Sequence, residues 1–175
     1  MAQVIVNEQW RSISEYINYQ VSNMGRVRNA NTGKILKPVL LKSGYPSVKL
    51  YNNDHNKTML IHRLVASEFI DNLDNKLVVD HIDHDKTNNI VTNLRWASVS
   101  QNQMNQQKLT NKGGYSKYKG VTWDKRRNKW MAKICKNYKT FHIGYFDSEE
   151  EASEAYNCRA VEMFEEFAQL NPTHL

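Results

Sequence analysis

Leu77-Val-Val-Asp-His-Ile82, then His84-Asp-Lys-Thr-Asn-Asn89, then Leu94-Arg-Trp-Ala-Ser98 decide how the middle of this chain folds. The first and third runs are short, apolar and strand-forming, and the polar run between them is a loop, so the spacing predicts a hairpin. Ser98, followed three residues on by Gln101, forms a capping-box pattern, which predicts a helix from there through about Gln107. The unit is therefore strand–loop–strand–helix. Just upstream, Leu60–Ile70 places Ile61, Leu64, Val65 and Phe69 at helical spacing. Together these elements fill residues 59–107.

On the N-terminal side, residues 1–58 hold short apolar runs: Tyr19-Gln-Val-Ser, Gly25-Arg-Val-Arg, Lys34-Ile-Leu-Lys and Tyr45-Pro-Ser-Val-Lys-Leu. Turn residues such as Asn23-Met-Gly25 and Asn31-Thr-Gly33 separate them, which predicts a small antiparallel β module. The period of two puts Arg26 and Arg28 on one face and Val27 on the other. On the C-terminal side, residues 108–116 (KLTNKGGYS) read as a linker, polar and Gly-rich. Residues 117–171 then give three alternating strands, at Val121–Asp124, Lys129–Cys135 and Thr140–Gly144. A helix follows, opened by the Ser148/Glu151 capping box and ended by Asn171-Pro172. Its apolar stripe is Ala152, Ala155, Tyr156, Ala160, Met163 and Phe167. The fold class is α+β, built of small modules.

The 175 residues carry a net charge of +6, unevenly placed. Residues 112–146 hold ten Lys/Arg against one acid, and residues 147–175 hold one Arg against eight acids. The basic block is interleaved with Tyr115, Tyr118, Trp123, Trp130, Tyr138 and Phe141, so it reads as a folded sheet with a basic outer face. Such a face suits a polyanion, most often nucleic acid, unless its lysines serve solubility alone. No run reaches the roughly 18 apolar residues of a membrane span. Met1–Ser14 shows neither the basic nor the apolar part of a signal peptide. Two cysteines, Cys135 and Cys158, are too few for a disulfide framework or a zinc site of four thiolates, so a reducing, intracellular compartment is expected.

Asp80, His81, Asn93 and Asn102 are the residues with chemistry to offer. An Asp80 carboxylate and an Asn102 amide oxygen would suit a hard divalent cation. His81, titrating near neutrality, could take a proton from water. Asn93 could brace the long loop through its amide. Spacing alone leaves the plainer reading open, an Asp-His pair on the surface. Adjacent residues of a regular strand also point to opposite faces, so Asp80 and His81 can share a site only where the strand ends or twists.

Val79-Asp-His-Ile-Asp83, Lys86-Thr-Asn-Asn89, Thr92-Asn-Leu-Arg-Trp96 and Asn102, with His62-Arg-Leu-Val-Ala66 before them, resemble the HNH nucleases of the homing-endonuclease kind. The resemblance implies a ββα-metal unit that hydrolyses DNA phosphodiesters. It makes Asp80 and Asn102 the metal ligands, His81 the general base and Asn93 the loop-bracing residue. Asn102 stands where many relatives have His, which retains an oxygen-ligated Mg²⁺ or Mn²⁺ ion, one per site. His84 stands where many have Gly. Trp10-Arg-Ser-Ile-Ser-Glu-Tyr16, Gly25-Arg-Val-Arg28, Gly33-Lys-Ile-Leu-Lys37 and Gly44-Tyr45 resemble the NUMOD4 module, which implies DNA binding. Lys119-Gly-Val-Thr-Trp123, Lys129–Ile134, Ile143-Gly-Tyr-Phe146 and Glu150–Tyr156 resemble an AP2 domain, whose sheet lies in the major groove.

The expected protein is thus a modular, monomeric homing-type endonuclease acting on double-stranded DNA in the host cell of a phage or mobile element, with no membrane association. With one metal centre it is expected to nick one strand per binding event. The residues expected on DNA are Arg26, Arg28, Lys37, Lys49, Arg63, Arg95, Lys125, Arg126, Arg127, Lys129, Lys133 and His142. In the C-terminal sheet Trp130, Ala132, Ile134, Phe141 and Ile143 are expected inward, with Met131, Lys133, Cys135, Thr140 and His142 outward. The alternatives are a DNA-binding regulator with a decayed nuclease unit, or an RNA-binding splicing helper.

Overall fold

The computed structural model describes residues 7–52, 55–106 and 116–172. The chain is α+β, with four small antiparallel sheets and three α-helices among the described residues. It divides into two compact units, residues 1–98 and 99–175.

In the first unit, β1 (Trp10–Ile13), β2 (Tyr16–Ser22) and β3 (Val27–Asn29) form one sheet in sequence order. A second sheet holds β4 (Val39–Leu40), β5 (Pro46–Asn52) and β6 (His55–Leu60). Helix α1 (Ile61–Phe69) follows β6 directly, and the hairpin of β7 (Val78–His81) and β8 (Leu94–Ala97) completes the unit. The inward residues of these elements meet in one core: Val21, Val27, Val48, Leu50, Ile61, Leu64 and Val65 are each at most 2% exposed. The sequence boundary at 58/59 falls inside this core, because β5 packs with α1. The run Lys34–Lys37 contributes only a single bridge, Ile35 to Arg28. Pro38, which has no backbone N–H to add to a ladder, follows it.

In the second unit, α2 (Val99–Met104) begins one residue after Ser98 and ends three residues before Gln107. β9 (Val121–Asp124), β10 (Lys129–Lys136) and β11 (Lys139–Phe146) form a sheet in the order β11-β10-β9, covered by α3 (Glu149–Phe164). The linker expected at 108–116 lies outside the described residues except for Ser116, which is buried and accepts a hydrogen bond from the Tyr118 amide. Ala132 and Ile134 point inward as the alternation requires, against Ala152, Tyr156, Ala160 and Phe164. Phe141 does not become buried. It pairs with Ile134 on the inner face, but a bulge in β11 beside Ala132/Lys133 shifts the register and leaves it 41% exposed at the sheet's end. The Ser148/Glu151 capping box forms in full. The helix stops at Phe164, well before Asn171, because Glu165 turns into positive φ. The tail continues to Asn171, whose side chain accepts from the Lys119 amide, while Asn157 bonds its backbone on both sides.

Candidate active site

β7 ends at His81, which is what allows Asp80 and His81 both to turn inward; each is 5% exposed. Asp80 lies opposite Arg95 on β8 and accepts from its Nε at 2.9 Å. Arg95, expected on DNA, is thus committed to a buried carboxylate. His81 meets Asn89, with 3.0 Å between Nε2 and the amide oxygen. Its ring packs edge-on against His62, 5.1 Å between centroids, and lies 6.0 Å from Tyr45. Tyr45 in turn tilts against His62 at 4.8 Å, and the Lys86 ammonium lies over the Tyr45 ring at 4.7 Å.

The loop between the strands is organised by carboxylates and amides rather than by apolar packing. Asn93 accepts from the Asp83 amide at 3.0 Å and donates to Asp83 Oδ1 and to the Asn88 carbonyl, each at 2.8 Å. Its own carbonyl accepts from the Ile82 amide at 2.9 Å. Burial alone would raise the Asp83 carboxyl, but the bonds from Asn88 and Asn93 hold it below its ordinary value. His84 adopts φ +66, the left-handed region that favours glycine.

Sequence reasoning quoted His62, Tyr45 and Asn89 within motifs but gave them no role at the site. His62 shares an arc of α1 with Val65, Ala66 and Phe69 at steps of three, four and seven, so its burial was legible in principle. Burial, with the His81 imidazole and the Arg63 guanidinium nearby, lowers its pKa to about 3.

Asn102 lies on α2, half-buried, in the second unit. Among the described residues no three His, Cys, Asp or Glu side chains are grouped as a protein-built metal cage. The donors named for a metal, one carboxylate and one amide, are hard oxygens; they fit Mg²⁺ or Mn²⁺ with phosphate and water completing the shell, and do not fit a structural zinc site.

The basic residues fall in several places. Arg28 and Arg26 both stack over Trp10, at 4.1 and 5.7 Å, and Arg26 also pairs with Glu8. Lys37 and Lys49 are exposed, and Arg63 donates to the Leu77 carbonyl. In the second unit Asp124 accepts from the Arg126 and Arg127 amides and shapes the basic turn. Lys125, Arg126 and Arg127 are exposed there, with Arg127 over the Tyr145 ring at 4.7 Å. Lys129 pairs with Asp147. Lys133 and His142 are opposite each other on the outer face.

Three family models match consecutive segments: the NUMOD4 motif over 8–51, HNH endonuclease over 59–104 and the AP2 domain over 116–166. A segment matching the HNH endonuclease model thus lies between segments matching the NUMOD4 and AP2 models. It is 43% identical to DNA endonuclease I-HmuI of Bacillus phage SP01, across 56% of this chain and 57% of that protein. It is 37% identical to an uncharacterized HNH endonuclease of Acanthamoeba polyphaga mimivirus, across 74% of this chain and 64% of that one. H-N-H endonuclease F-TflII of Escherichia phage T5 is 37% identical across 50% and 46%. A solved structure of I-HmuI, described as DNA binding and cleavage by an HNH homing endonuclease, superposes with TM-score 0.53 over 56% of this chain and 57% of that chain. The chain therefore spans between about half and two thirds of the length of these relatives. HNH endonucleases use a divalent metal. No helix among the described residues is long and apolar enough to cross a membrane.

Proposed function

We propose that the chain is a site-specific DNA endonuclease of the homing type, hydrolysing one phosphodiester per binding event and acting as a monomer inside the cell. The observation that carries this is the buried Asp80–His81 pair at the end of β7, facing a loop pinned by Asn93 within the HNH-matched segment.

His81 acts as general base, removing a proton from water as the water oxygen bonds to phosphorus. The P–O3′ bond breaks, and the departing 3′ oxygen takes its proton from solvent. Asp80 would offer a hard oxygen ligand to one Mg²⁺ or Mn²⁺ ion, which would supply charge stabilisation for the phosphate and the leaving oxygen; the resemblance alone names Asn102 as a second ligand. Arg95 fixes the Asp80 carboxylate, and Asn93 keeps the loop, hence His81, in place. The basic residues of the flanking modules, Arg26, Arg28, Lys37, Lys49 and Lys125–Arg127, hold the phosphate backbone, with Lys133 and His142 toward the groove.

Incubation with a supercoiled plasmid library and Mg²⁺ or Mn²⁺ tests this. Open-circle DNA should appear first and be abolished by a chelator. Linear product without an open-circle intermediate would contradict single-strand cutting. Binding without cutting in every divalent metal would favour a DNA-binding regulator.

A further inference from the structure

The turn that joins β2 to β3 carries Arg26, assigned above to the phosphate backbone, and the same turn touches the loop between β7 and β8. Ser22, 0% exposed, closes it: the Ser22 amide donates to the Arg26 carbonyl at 2.8 Å, and the Ser22 hydroxyl accepts from the Arg26 amide at 3.1 Å. Residues 22–26 are thereby tied into one rigid piece.

Asn23, 5% exposed, has a partner for every one of its polar groups. Its backbone amide donates to the Gln9 carbonyl at 3.1 Å. Its side-chain oxygen accepts from the Gln9 amide at 2.9 Å, and its side-chain nitrogen donates to the Asn7 carbonyl at 3.2 Å. A side chain needs both a donor and an acceptor to match an extended backbone in this way. Glu8, between those two residues, pairs with Arg26. The Asn23 carbonyl is left for the loop, and it accepts from the Val91 amide at 2.8 Å.

Val91 opens the 3₁₀ turn Val91–Asn93, and Asn93 holds the loop through Asp83 and Asn88. A second contact runs beside the first. Gly25, at φ +78, lies so close that a Cβ would stand 2.9 Å from Asn89 Cβ and 3.0 Å from the Asn89 carbonyl oxygen. The loop is thus seated at two points, Asn89 and Val91, on a turn of the N-terminal module.

Resting on the nuclease reading above, we propose that Asn23 is a positioning residue for hydrolysis: through the Val91 amide it seats the loop that follows Asp80 and His81, so the turn that grips DNA with Arg26 also sets the rate of cutting. The N-terminal module then contributes to turnover as well as to affinity, through a buried side chain whose own partners are all protein backbone. A misplacement of about 1 Å, passed on from a residue away from the chemistry, costs up to about 100-fold in rate.

Amide hydrogen exchange of the full chain, followed by ¹⁵N NMR, reads the seat without any cleavage. Single-turnover cutting and fluorescence anisotropy on one selected target read the rate and Kd. Asn23→Ala should speed exchange at Val91 and Asn93 by about tenfold or more. It should slow cutting per folded molecule by about 10–100-fold and leave Kd within about twofold. Gly25→Ala, which wedges the turn from the loop and leaves Asn23 intact, should do the same. Ile13→Val, which thins the same core from β1, should lower stability and leave the rate per folded molecule unchanged. Wild-type cutting rates in both Asn23→Ala and Gly25→Ala, a rate loss matched by Ile13→Val, or a Kd that weakens in step with the rate would overturn the proposal; should Asn23→Ala not fold, Gly25→Ala decides it. If wild type cuts no DNA in any divalent metal, the nuclease reading falls, and the seat then stands on faster exchange at Val91 in the variants and falls on unchanged exchange.

Discussion

Asn93 and Asp83 grip each other at both ends: the Asn93 oxygen accepts from the Asp83 amide at 3.0 Å while its nitrogen donates to the Asp83 carboxylate at 2.8 Å. The same nitrogen reaches the Asn88 carbonyl, so a single turn of 3₁₀ helix, Val91–Asn93, anchors the loop. Asn93→Ala removes three bonds at a site 9% exposed. Unfolding stability should fall by about 2–3 kcal/mol by urea titration, given about 1 kcal/mol per bond. Cleavage should fall further than the lost stability explains, because the loop end beside His81 is released. Asn93→Asp should be no better, since it turns a donor toward Asp83 into a second carboxylate.

Arg95 forms a largely buried ion pair with Asp80, with the two side chains 14% and 6% exposed. Arg95→Met should destabilise the first unit by about 3 kcal/mol, because it removes one partner of a buried ion pair. Thermal unfolding with and without Mg²⁺ checks this. Added Mg²⁺ should recover more stability in the variant than in wild type, since the ion gives Asp80 back a positive neighbour.

His62 makes stability depend on acid. Its folded pKa, about 3, lies below the unfolded value of 6.5. The unfolded chain therefore binds a proton that the folded one refuses, and stability is lost as pH falls from about 6.5 toward 3, at roughly 1.4 kcal/mol per pH unit at the steepest. Asp83 and Asp85, whose carboxyls are held low by loop hydrogen bonds, add their loss only below about pH 4. Urea midpoints between pH 4.5 and 7 should slope upward in wild type and much less in His62→Phe.

Gly120 stands at φ +75 with the Tyr156 ring where a side chain would go, 2.2 Å from a built Cβ, and the Lys133 carbonyl at 2.6 Å. Gly120→Ala should cost about 3 kcal/mol in the second unit through overpacking and strain. DNA binding should weaken in parallel, measured by fluorescence anisotropy at fixed salt.

Much of this architecture is written in local pattern. Helix α1 shows in the spacing of Ile61, Leu64 and Val65, β10 in the alternation of Ala132 and Ile134, and the start of α3 in Ser148 and Glu151. β6 is not, because His55–Leu60 is polar and mostly exposed and is a strand only through its pairing with β5. β1 and β4 are equally dependent on their partners. Phe141 keeps the inner face that period-two counting predicts but stays exposed at the sheet's end, and α3 ends at a backbone turn that no residue type announces. At the site, Asp80, His81 and Asn93 stand out in a motif. Asn89 does not, since one Asn among many gains meaning only when folding sets it beside an imidazole.

The central claim is that His81 drives hydrolysis while taking no part in holding DNA. Cleavage and binding of one selected target should be measured side by side for wild type and His81→Ala in Mg²⁺ and in Mn²⁺. Equal Kd with cutting slower by about 100-fold or more in the variant is the predicted result. Equal cutting by the two proteins would contradict it.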